Sequence, residues 1–265
     1  MFRRLLSPRA ALTDISSAPA GLQALGFTVR PVRTLAELQQ VAQLRHDAYG
    51  RHRAQQGAVQ PDRYDFMPNA VVLAAFDKAD GRIVGTIRVV LGDGGPLELD
   101  SYVHLPRAHT GVPAEAARLA IGRTRQRTLV KLALWKAYYR LCMGHGIESM
   151  VLAARRPIDD DYAWLDFHDI GAEPLWFVPG ASFPDPHRVL MQRLDGLQDR
   201  WRQKSHEFFR FNVELVHPDI RPFCDDGINP LSRLAQRRLP EPVDAPAGRL
   251  PQLGWPKDLF GWMPV

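Results

Sequence analysis

Two apolar runs joined by a short polar turn constrain the fold more than any other feature of the chain. Residues 70–76 read Ala-Val-Val-Leu-Ala-Ala-Phe, and residues 83–91 read Ile-Val-Gly-Thr-Ile-Arg-Val-Val-Leu. Each run has the length and the β-branched content of a buried strand. The intervening Asp77-Lys78-Ala79-Asp80-Gly81 has the composition of a hairpin turn. We therefore expect two adjacent antiparallel strands.

Other strand and helix patterns surround this hairpin. Thr34 and Glu37 form a capping-box pattern at the start of the first helix, and Thr128 stands where it can cap the second. The expected order is strand 28–32, a helix to residue 49, the hairpin, strand 116–121, helix 129–143, strand 149–153, a short helix 159–169 and strand 175–178. This order predicts an α/β protein of the α+β type, with a mixed central sheet flanked by helices.

The pattern divides the chain into four parts. We expect an N-terminal arm at 1–27, a main domain at 28–190, a helical extension at 191–239 and a proline-rich extended tail at 240–265. The longest apolar run, residues 70–76, is far shorter than the roughly 20 residues that span a bilayer. Two cysteines are too few for a disulfide framework, so we expect a reducing compartment, the cytoplasm.

The charge balance bears on the partners. A formal net charge of +5 and a pI near 9.5 favour an acidic or phosphorylated partner. The arginines are scattered, and no helix-turn-helix, zinc-finger or ribonucleoprotein pattern accompanies them, so nucleic acid is not expected. An acidic carrier protein accounts for the charge equally well.

Metal binding is not expected from the sequence. The nine histidines include no His-Glu-x-x-His pair. The run at 159–161, three aspartates, lacks the glycine and glutamate spacing of a calcium loop. We expect these aspartates to cap a helix instead.

Four short motifs follow one another within residues 28–180, and together they carry a family resemblance. They are Arg45-x-x-x-Tyr49, Asp62-x-Tyr64-Asp65, Val84-Gly85-Thr86-Ile87-Arg88 and Glu115-x-x-Arg118. In this order they resemble a subgroup of the GNAT acyltransferase fold, the N-acyl amino acid synthases and acyl-homoserine-lactone autoinducer synthases. The resemblance implies a sheet that is splayed at the strand beginning near residue 115, and an enzyme that transfers a fatty acyl group to a small amine.

Glu115 and Arg118 are the expected catalytic residues. Amide formation from a thioester requires a deprotonated amine, and a carboxylate in a partly dry cleft can remove that proton. Arg118 would keep Glu115 ionised, or hold a carboxylate of the acceptor with its planar fork. Residues three apart in a flat strand face opposite sides, so a shared site requires a bulge or bend. The alternative is an ordinary ion pair at the end of a strand.

A second group of residues is assigned by the resemblance to the pocket for the acceptor amine and to the loop that caps it. Asp62 and Asp65 would attract and orient the acceptor ammonium. Arg88 lies in an otherwise apolar strand and would need a partner if buried, which the loop with these two aspartates could supply. The remaining members are Arg45, Tyr49 and Tyr64. For Arg45 and Tyr49 the alternative is a helical pair that only packs.

A basic cluster, defined as Arg123, Arg125, Arg127 and Lys131, lies near the start of the second helix. In the resembled fold the residues at this position bind the phosphates of the acyl donor. Gly122 is followed by no second glycine before the helix, so the coenzyme A signature Gln/Arg-x-x-Gly-x-Gly/Ala is incomplete. We therefore expect the acyl-phosphopantetheine of acyl carrier protein as donor, with acyl-CoA as the alternative and no tightly bound cofactor. The other interpretation of the cluster is a solvated basic loop.

The aromatic residues of the C-terminal part have two interpretations. Trp201, Phe208, Phe209 and Phe211 alternate with basic residues and could make peripheral contact with a membrane. The preferred interpretation is that they pack a C-terminal helix on the core. A slot for the acyl chain is expected between the splayed strands, lined by residues such as Val72, Ala74, Val151 and Leu152.

The sequence thus predicts an N-acyltransferase that moves a fatty acyl group from acyl carrier protein to an amino acid or related small amine. One alternative is an acyl-homoserine-lactone synthase that uses S-adenosylmethionine. Those enzymes follow their Arg-x-x-x-Phe motif with a nearby tryptophan, whereas Tyr49 is followed by Gly50-Arg51-His52-Arg53. The other alternative is a catalytically idle module that binds an acyl carrier.

Overall fold

The computed structural model describes residues 25–50, 59–179, 185–204, 209–224 and 229–232. The predicted N-terminal arm up to residue 24, Phe208 and the proline-rich tail lie outside the described residues. Among the described residues, no helix is both long enough and apolar enough to cross a membrane.

Eight strands form one mixed sheet. They are β1 Phe27–Pro31, β2 Ala70–Asp77, β3 Ile83–Leu91, β4 Pro113–Ile121, β5 Ser149–Arg155, β6 His168–Asp169, β7 Leu175–Phe177 and β8 His187–Arg193. The strand order is β1-β2-β3-β4-β5-β8-β6, and β7 also pairs with β8. Only the β4–β5 pair is parallel in this described sheet. The hairpin predicted from the two apolar runs is confirmed as β2 and β3.

Five α-helices, two 3-10 helices and one π-helix accompany the sheet in the described chain. The α-helices are α1 Leu35–Gly50, α2 Arg107–Thr110, α3 Arg127–Gly144, α4 Asp159–Trp164 and α5 Leu197–Lys204. The 3-10 helices are Arg63–Phe66 and Leu99–Ser101, and Arg210–Glu214 is a π-helix. The capping box of α1 is confirmed, since the amide of Glu37 donates to Oγ1 of Thr34 (3.1 Å) and the amide of Thr34 donates to Oε2 of Glu37 (3.3 Å).

The sheet opens between β4 and β5. Their parallel ladder runs from the pair Pro113 and Ser149 to the pair Ala116 and Leu152, and then stops. β4 continues to Ile121. The splayed sheet implied by the resemblance is therefore present.

A bulge lies in β4 at the point where the sheet opens. The β3–β4 register passes from Thr86 opposite Ala120 to Arg88 opposite Ala117, with Arg118 in the irregular stretch. Arg118 has φ of 56°, in the left-handed region. The bulge or bend that a shared site for Glu115 and Arg118 requires is thus observed.

The main hydrophobic core fills the space between the sheet and α3. Residues of β1 to β5 contribute to it together with Trp135 and Tyr138 of α3. Trp201, Phe209 and Phe211 are buried in the same core. The predicted packing of these C-terminal aromatics is confirmed for the three described ones.

Two local predictions were wrong, and one strand was missed. Thr128 does not cap α3, because the helix begins at Arg127 and its cap position is Gln126, with no side-chain hydrogen bond. The helix begun by the three aspartates ends at Trp164 rather than near residue 169, and its cap position is Ile158. β8 was not predicted, although it continues the sheet past residue 190.

Candidate active site

A buried cluster of three arginines and three carboxylates lies on one side of the bulge in β4. Its members come from α1, the 3-10 helix at 63–66, β3, the segment before the second 3-10 helix, and β4. They are Arg45, Asp62, Asp65, Arg88, Glu98 and Arg118. We call this group the ion cluster.

Asp65 is the innermost carboxylate of the ion cluster, with a fully buried side chain. Nη1 of Arg45 donates to its Oδ1 (2.9 Å) and its Oδ2 (2.8 Å). Nη1 of Arg88 donates to Oδ1 at 3.2 Å. The amide of Asp62 donates to Oδ2 at 3.1 Å, which closes a capping box around the 3-10 helix. Asp65 therefore joins α1, β3 and the capping loop.

Arg88 is fully buried in β3 and is surrounded by acidic groups. Besides Asp65, its guanidinium contacts Oδ2 of Asp62 (3.3 Å) and donates to Glu98. Burial would lower the pKa of Arg88, but the carboxylates of Glu98 and Asp62 outweigh burial and raise it. The expected pairing of Arg88 with the loop that carries Asp62 and Asp65 is observed.

Arg118 and Asp62 form the end of the ion cluster that faces solvent. Nη2 of Arg118 lies 2.9 Å from Oδ2 of Asp62 and 3.5 Å from Oε1 of Glu98. The side chains of Arg118 and Asp62 are 29% and 20% exposed, against 8% or less for the other four members. Burial would raise the pKa of Asp62, but Arg88 and Arg118 hold it well below its usual range. A ligand from solvent therefore meets this pair first.

Glu115 lies beside the ion cluster and is buried in β4. Its Oε2 accepts a hydrogen bond from the amide of Leu99 at 2.9 Å. Burial and the nearby charge of Glu98 raise the pKa of Glu115 to about 8. A carboxyl with this pKa exchanges its proton close to neutral pH, as general acid–base catalysis requires.

The charges of the site balance when Glu115 is protonated. Arg45, Arg88 and Arg118 carry three positive charges, and Asp62, Asp65 and Glu98 carry three negative charges. An ionised Glu115 would add an uncompensated buried charge, which is costly. An incoming cation would supply the compensation.

Arg45 retains unused hydrogen-bonding capacity. Its Nε and Nη2 are buried and have no hydrogen-bond partner among the described residues, and the same holds for Nε of Arg88. Buried donors of this kind are normally satisfied. An oxygen of a bound ligand or a water could accept from them.

The two tyrosines of the motifs contact the segments that carry the ion cluster. The hydroxyl of Tyr49 donates to the carbonyl of Leu119 (3.1 Å), next to the bulge. Burial raises the pKa of Tyr49. The hydroxyl of Tyr64 donates to Oγ of Ser101 (3.1 Å), and the guanidinium of Arg88 lies over the Tyr64 ring. The structure thus brings all of the predicted acceptor-side residues together around Glu115 and Arg118.

The basic cluster lies apart from the ion cluster, where β4 leads into α3. Arg123, Arg125 and Arg127 are exposed and form no ion pair with the described residues. Lys131 is half-buried, with its ammonium 5.9 Å from the ring of Tyr162. The amide of Gly122 donates to the carbonyl of Val84 (2.9 Å), so it is not free to bind a phosphate.

The expected lining of an acyl slot is not observed. Val72 and Ala74 belong to a cluster with residues of α1. Val151 belongs to a second cluster and Leu152 to the main core, because neighbouring residues of a strand face opposite sides of the sheet. These four residues do not line one cavity. The ring of Tyr162, beyond β5, packs against Trp135 with a centroid distance of 5.6 Å.

Glu98 is a member of the site that the sequence motifs do not include. It lies in the long irregular segment between β3 and β4, between Leu97 and Leu99, whose side chains are both buried. An acidic residue between two leucines is a weak signal that this segment folds against the core. The position of Glu98 beside two arginines depends on tertiary contacts.

The family model for the N-acyl amino acid synthase FeeM matches residues 40–175, about half of the chain. This segment contains the whole ion cluster, Glu115 and the basic cluster. No curated protein matches the sequence significantly.

Solved structures with the same fold have low sequence identity. FeeM, an N-acyl amino acid synthase from uncultured soil microbes, is 16% identical and superimposes with a TM-score of 0.53, covering 67% of this chain and 96% of FeeM. BjaI, a CoA-dependent acyl-homoserine lactone synthase, is 16% identical with a TM-score of 0.52, covering 80% of this chain and 100% of BjaI. These similarities establish the GNAT-like fold. With the family match, they show that the chain belongs to the FeeM family of N-acyl amino acid synthases and is an acyltransferase.

Proposed function

We propose that this acyltransferase moves a fatty acyl group from acyl carrier protein to the amine of an amino acid or a related small amine. One observation carries the proposal. A solvent-facing pair of opposite charges, Arg118 and Asp62, is linked through Glu98 and Leu99 to a buried carboxyl, Glu115, whose pKa is raised to about 8. The pair can recognise a zwitterion, and the carboxyl can accept the proton that the nucleophilic amine must lose.

The acceptor would replace the contact between Arg118 and Asp62. Its carboxylate would take the guanidinium of Arg118 with two parallel hydrogen bonds. Its ammonium would take the carboxylate of Asp62, which stays ionised because its pKa is held low. Both charges of an amino acid would then be compensated, and its amine would lie on the side of the ion cluster that holds Glu115.

The reaction would proceed by direct attack. Glu115, in its carboxylate form, takes a proton from the acceptor ammonium, and the neutral nitrogen attacks the thioester carbonyl. A C–N bond forms, the C–S bond breaks, and the thiolate leaves with a proton from solvent. One of the two protons left on the nitrogen is lost as the amide forms, and the other remains as the amide N–H. Because the acceptor ammonium would be held beside Glu115, its proton can move directly to that carboxylate.

The donor side of the proposal is supported by the basic cluster. Arg123, Arg125 and Arg127 are exposed at the start of α3, and no acidic residue lies in the first turn of that helix. A phosphate or an acidic protein surface there would interact favourably with the arginines and with the helix N-terminus. The incomplete glycine motif and the bonded amide of Gly122 favour a carrier protein over free coenzyme A. BjaI is CoA-dependent, which makes acyl-CoA the alternative donor.

Acyl carrier thioesters of several chain lengths, incubated with the purified protein and a mixture of amino acids, would test the proposal. Mass spectrometry should detect an N-acyl amino acid whose amount is strongly reduced with the Glu115→Gln variant. Parallel reactions with acyl-CoA compare the two donors. Methylthioadenosine release from S-adenosylmethionine would instead indicate a lactone synthase. Tight carrier binding without any N-acyl product would support a binding module and would refute the proposal.

A further inference from the structure

Glu98 connects the two arginines of the ion cluster that come from the central strands. It is 6% exposed and directly precedes the 3-10 helix Leu99–Ser101. One of its carboxylate oxygens accepts from Nη2 of Arg88, and the other lies 3.5 Å from Nη2 of Arg118. The contact with Arg118 holds that side chain at the solvent-facing end of the ion cluster.

The residue after Glu98 holds Glu115. The amide of Leu99 donates to Oε2 of Glu115, so this short segment reaches Glu115 as well as Arg88 and Arg118. The amide attracts an ionised Glu115, whereas the carboxylate of Glu98 repels it. The segment therefore fixes where Glu115 lies and also influences its charge.

We propose that Glu98 is a positioning residue of the acyl transfer, which holds Arg118 for the acceptor and keeps a proton on Glu115 until the ammonium of the acceptor enters. The inference rests on the proposed function, because it assigns Glu115 as the base. Nothing in the four sequence motifs assigns a role to residue 98.

The groups that face Glu115 determine in which direction the substitution Glu98→Gln shifts the pKa of Glu115. Burial and Glu98 raise the pKa of Glu115, and Arg88 and the amides of Leu99 and Glu98 act in the opposite direction. From α3, the buried Tyr138 also faces it. With Glu98 replaced by glutamine, the ion cluster would hold three guanidiniums and two carboxylates. An ionised Glu115 would then restore the balance, so its proton would be lost at lower pH.

The ammonium of the acceptor has the same consequence in the native site. Arg118 holds the acceptor carboxylate at the solvent-facing end, so the ammonium is the acceptor charge nearer to Glu115; it favours the ionised form of Glu115, which can release its proton to solvent. The resulting carboxylate accepts a proton from the ammonium and regenerates neutral Glu115 beside a neutral amine. The net change is the loss of one proton from the acceptor to solvent.

The titration of Glu115 tests the inference without requiring any activity. Protein labelled with ¹³C at the glutamate carboxyl is titrated by NMR, and the Glu115→Gln variant assigns the resonance. We expect a midpoint near 8 in the native protein. In Glu98→Gln the midpoint should fall by about one pH unit or more. An unchanged midpoint in Glu98→Gln, or a native midpoint near the ordinary 4.5, would overturn the inference.

The conservative variant Glu98→Asp separates charge from position. It keeps the negative charge but shortens the side chain, so we expect a high Glu115 midpoint together with a raised KM for the acceptor. Glu98→Asp is also the variant to titrate if Glu98→Gln does not fold. In Glu98→Asp a Glu115 midpoint near 4.5 would contradict the role of the charge.

Kinetics provide a second readout. In Glu98→Gln the acidic limb of the profile of kcat/KM against pH should move to lower pH together with the NMR midpoint. A residue with a purely structural role would lower the rate at every pH and leave the limb in place. If no donor and acceptor give a product, the proposed function fails while the NMR titration still decides the role of Glu98.

Discussion

Glu115 and Arg118 contact the same short segment of the chain, although they lie three positions apart in β4. The carboxylate of Glu115 accepts from the amide of Leu99, and the guanidinium of Arg118 lies 3.5 Å from the carboxylate of Glu98. A flat strand would direct the two side chains to opposite faces. The bulge at Arg118, with its positive φ, brings both to one site.

The rate of acyl transfer should depend on the ionisation of Glu115. Because the base acts in its carboxylate form and its pKa is about 8, kcat/KM should fall about tenfold for each pH unit below that value. Initial rates between pH 5.5 and about 9 would show this limb. Its absence in the native enzyme, or its persistence unchanged in Glu115→Gln, would exclude Glu115 as the base.

Stability should also report the raised pKa of Glu115. Between the ordinary value of 4.5 and about 8, the folded state holds a proton that the unfolded state has lost. The free energy of unfolding should therefore decrease as pH rises through this window. In Glu115→Gln the decrease should be smaller by about 1–3 kcal/mol. Urea titrations of both proteins at pH 5 and pH 8 measure the difference, and equal pH dependences would contradict the assignment.

Asp65→Asn should be one of the most destabilising changes in the site. It would weaken the contacts of two buried guanidiniums, those of Arg45 and Arg88, and we expect a loss of about 3–5 kcal/mol in the free energy of unfolding. Asp62→Asn is the matched control, because Asp62 is partly exposed and shares its partners with other carboxylates. It should destabilise less and mainly raise the KM for the acceptor. Equal losses in the two variants would refute this ranking.

The basic cluster should act on the donor rather than on the acceptor. Replacing Arg123, Arg125 and Arg127 together by glutamine should raise the KM for acyl carrier protein about tenfold or more at low salt, with a smaller effect at high salt. The acceptor KM and the melting temperature should stay nearly constant, since these side chains are exposed. Arg202→Gln, an exposed arginine on α5, is the control. A triple variant with unchanged donor KM would remove the cluster from the docking surface.

The parts of the fold with local signals could be predicted from the sequence. The β2–β3 hairpin is specified by two apolar runs and a polar turn, and the start of α1 by Thr34 and Glu37. β8 has no such signal. It is placed by long-range pairing with β5 on one side and with β6 and β7 on the other. The predicted start of α3 was wrong because Thr128 lies inside the first turn, after the cap position at Gln126, and so does not cap the helix.

Part of the site could also be predicted, because its motif residues carry local sequence signals. The motif residues lie close together, and the contact between Arg88 and the loop with Asp62 and Asp65 is present. The expectation that Arg118 keeps Glu115 ionised was wrong, because Arg118 pairs with Asp62 and Glu98 and the pKa of Glu115 is raised. Glu98 was missed because the segment that carries it has no regular periodicity. The acyl-slot residues were misassigned because adjacent residues such as Val151 and Leu152 point to opposite faces of the sheet.

An acceptor that needs no deprotonation tests the central claim most directly. An α-aminooxy acid has a nitrogen nucleophile that is largely neutral at pH 7, whereas the amine of the matching α-amino acid is protonated. With the amino acid, Glu115→Gln should lower kcat by about 100-fold or more, the range of general-base catalysis. With the aminooxy acid the same variant should lose less than about tenfold. Equal losses with both acceptors would contradict Glu115 as the group that removes the proton.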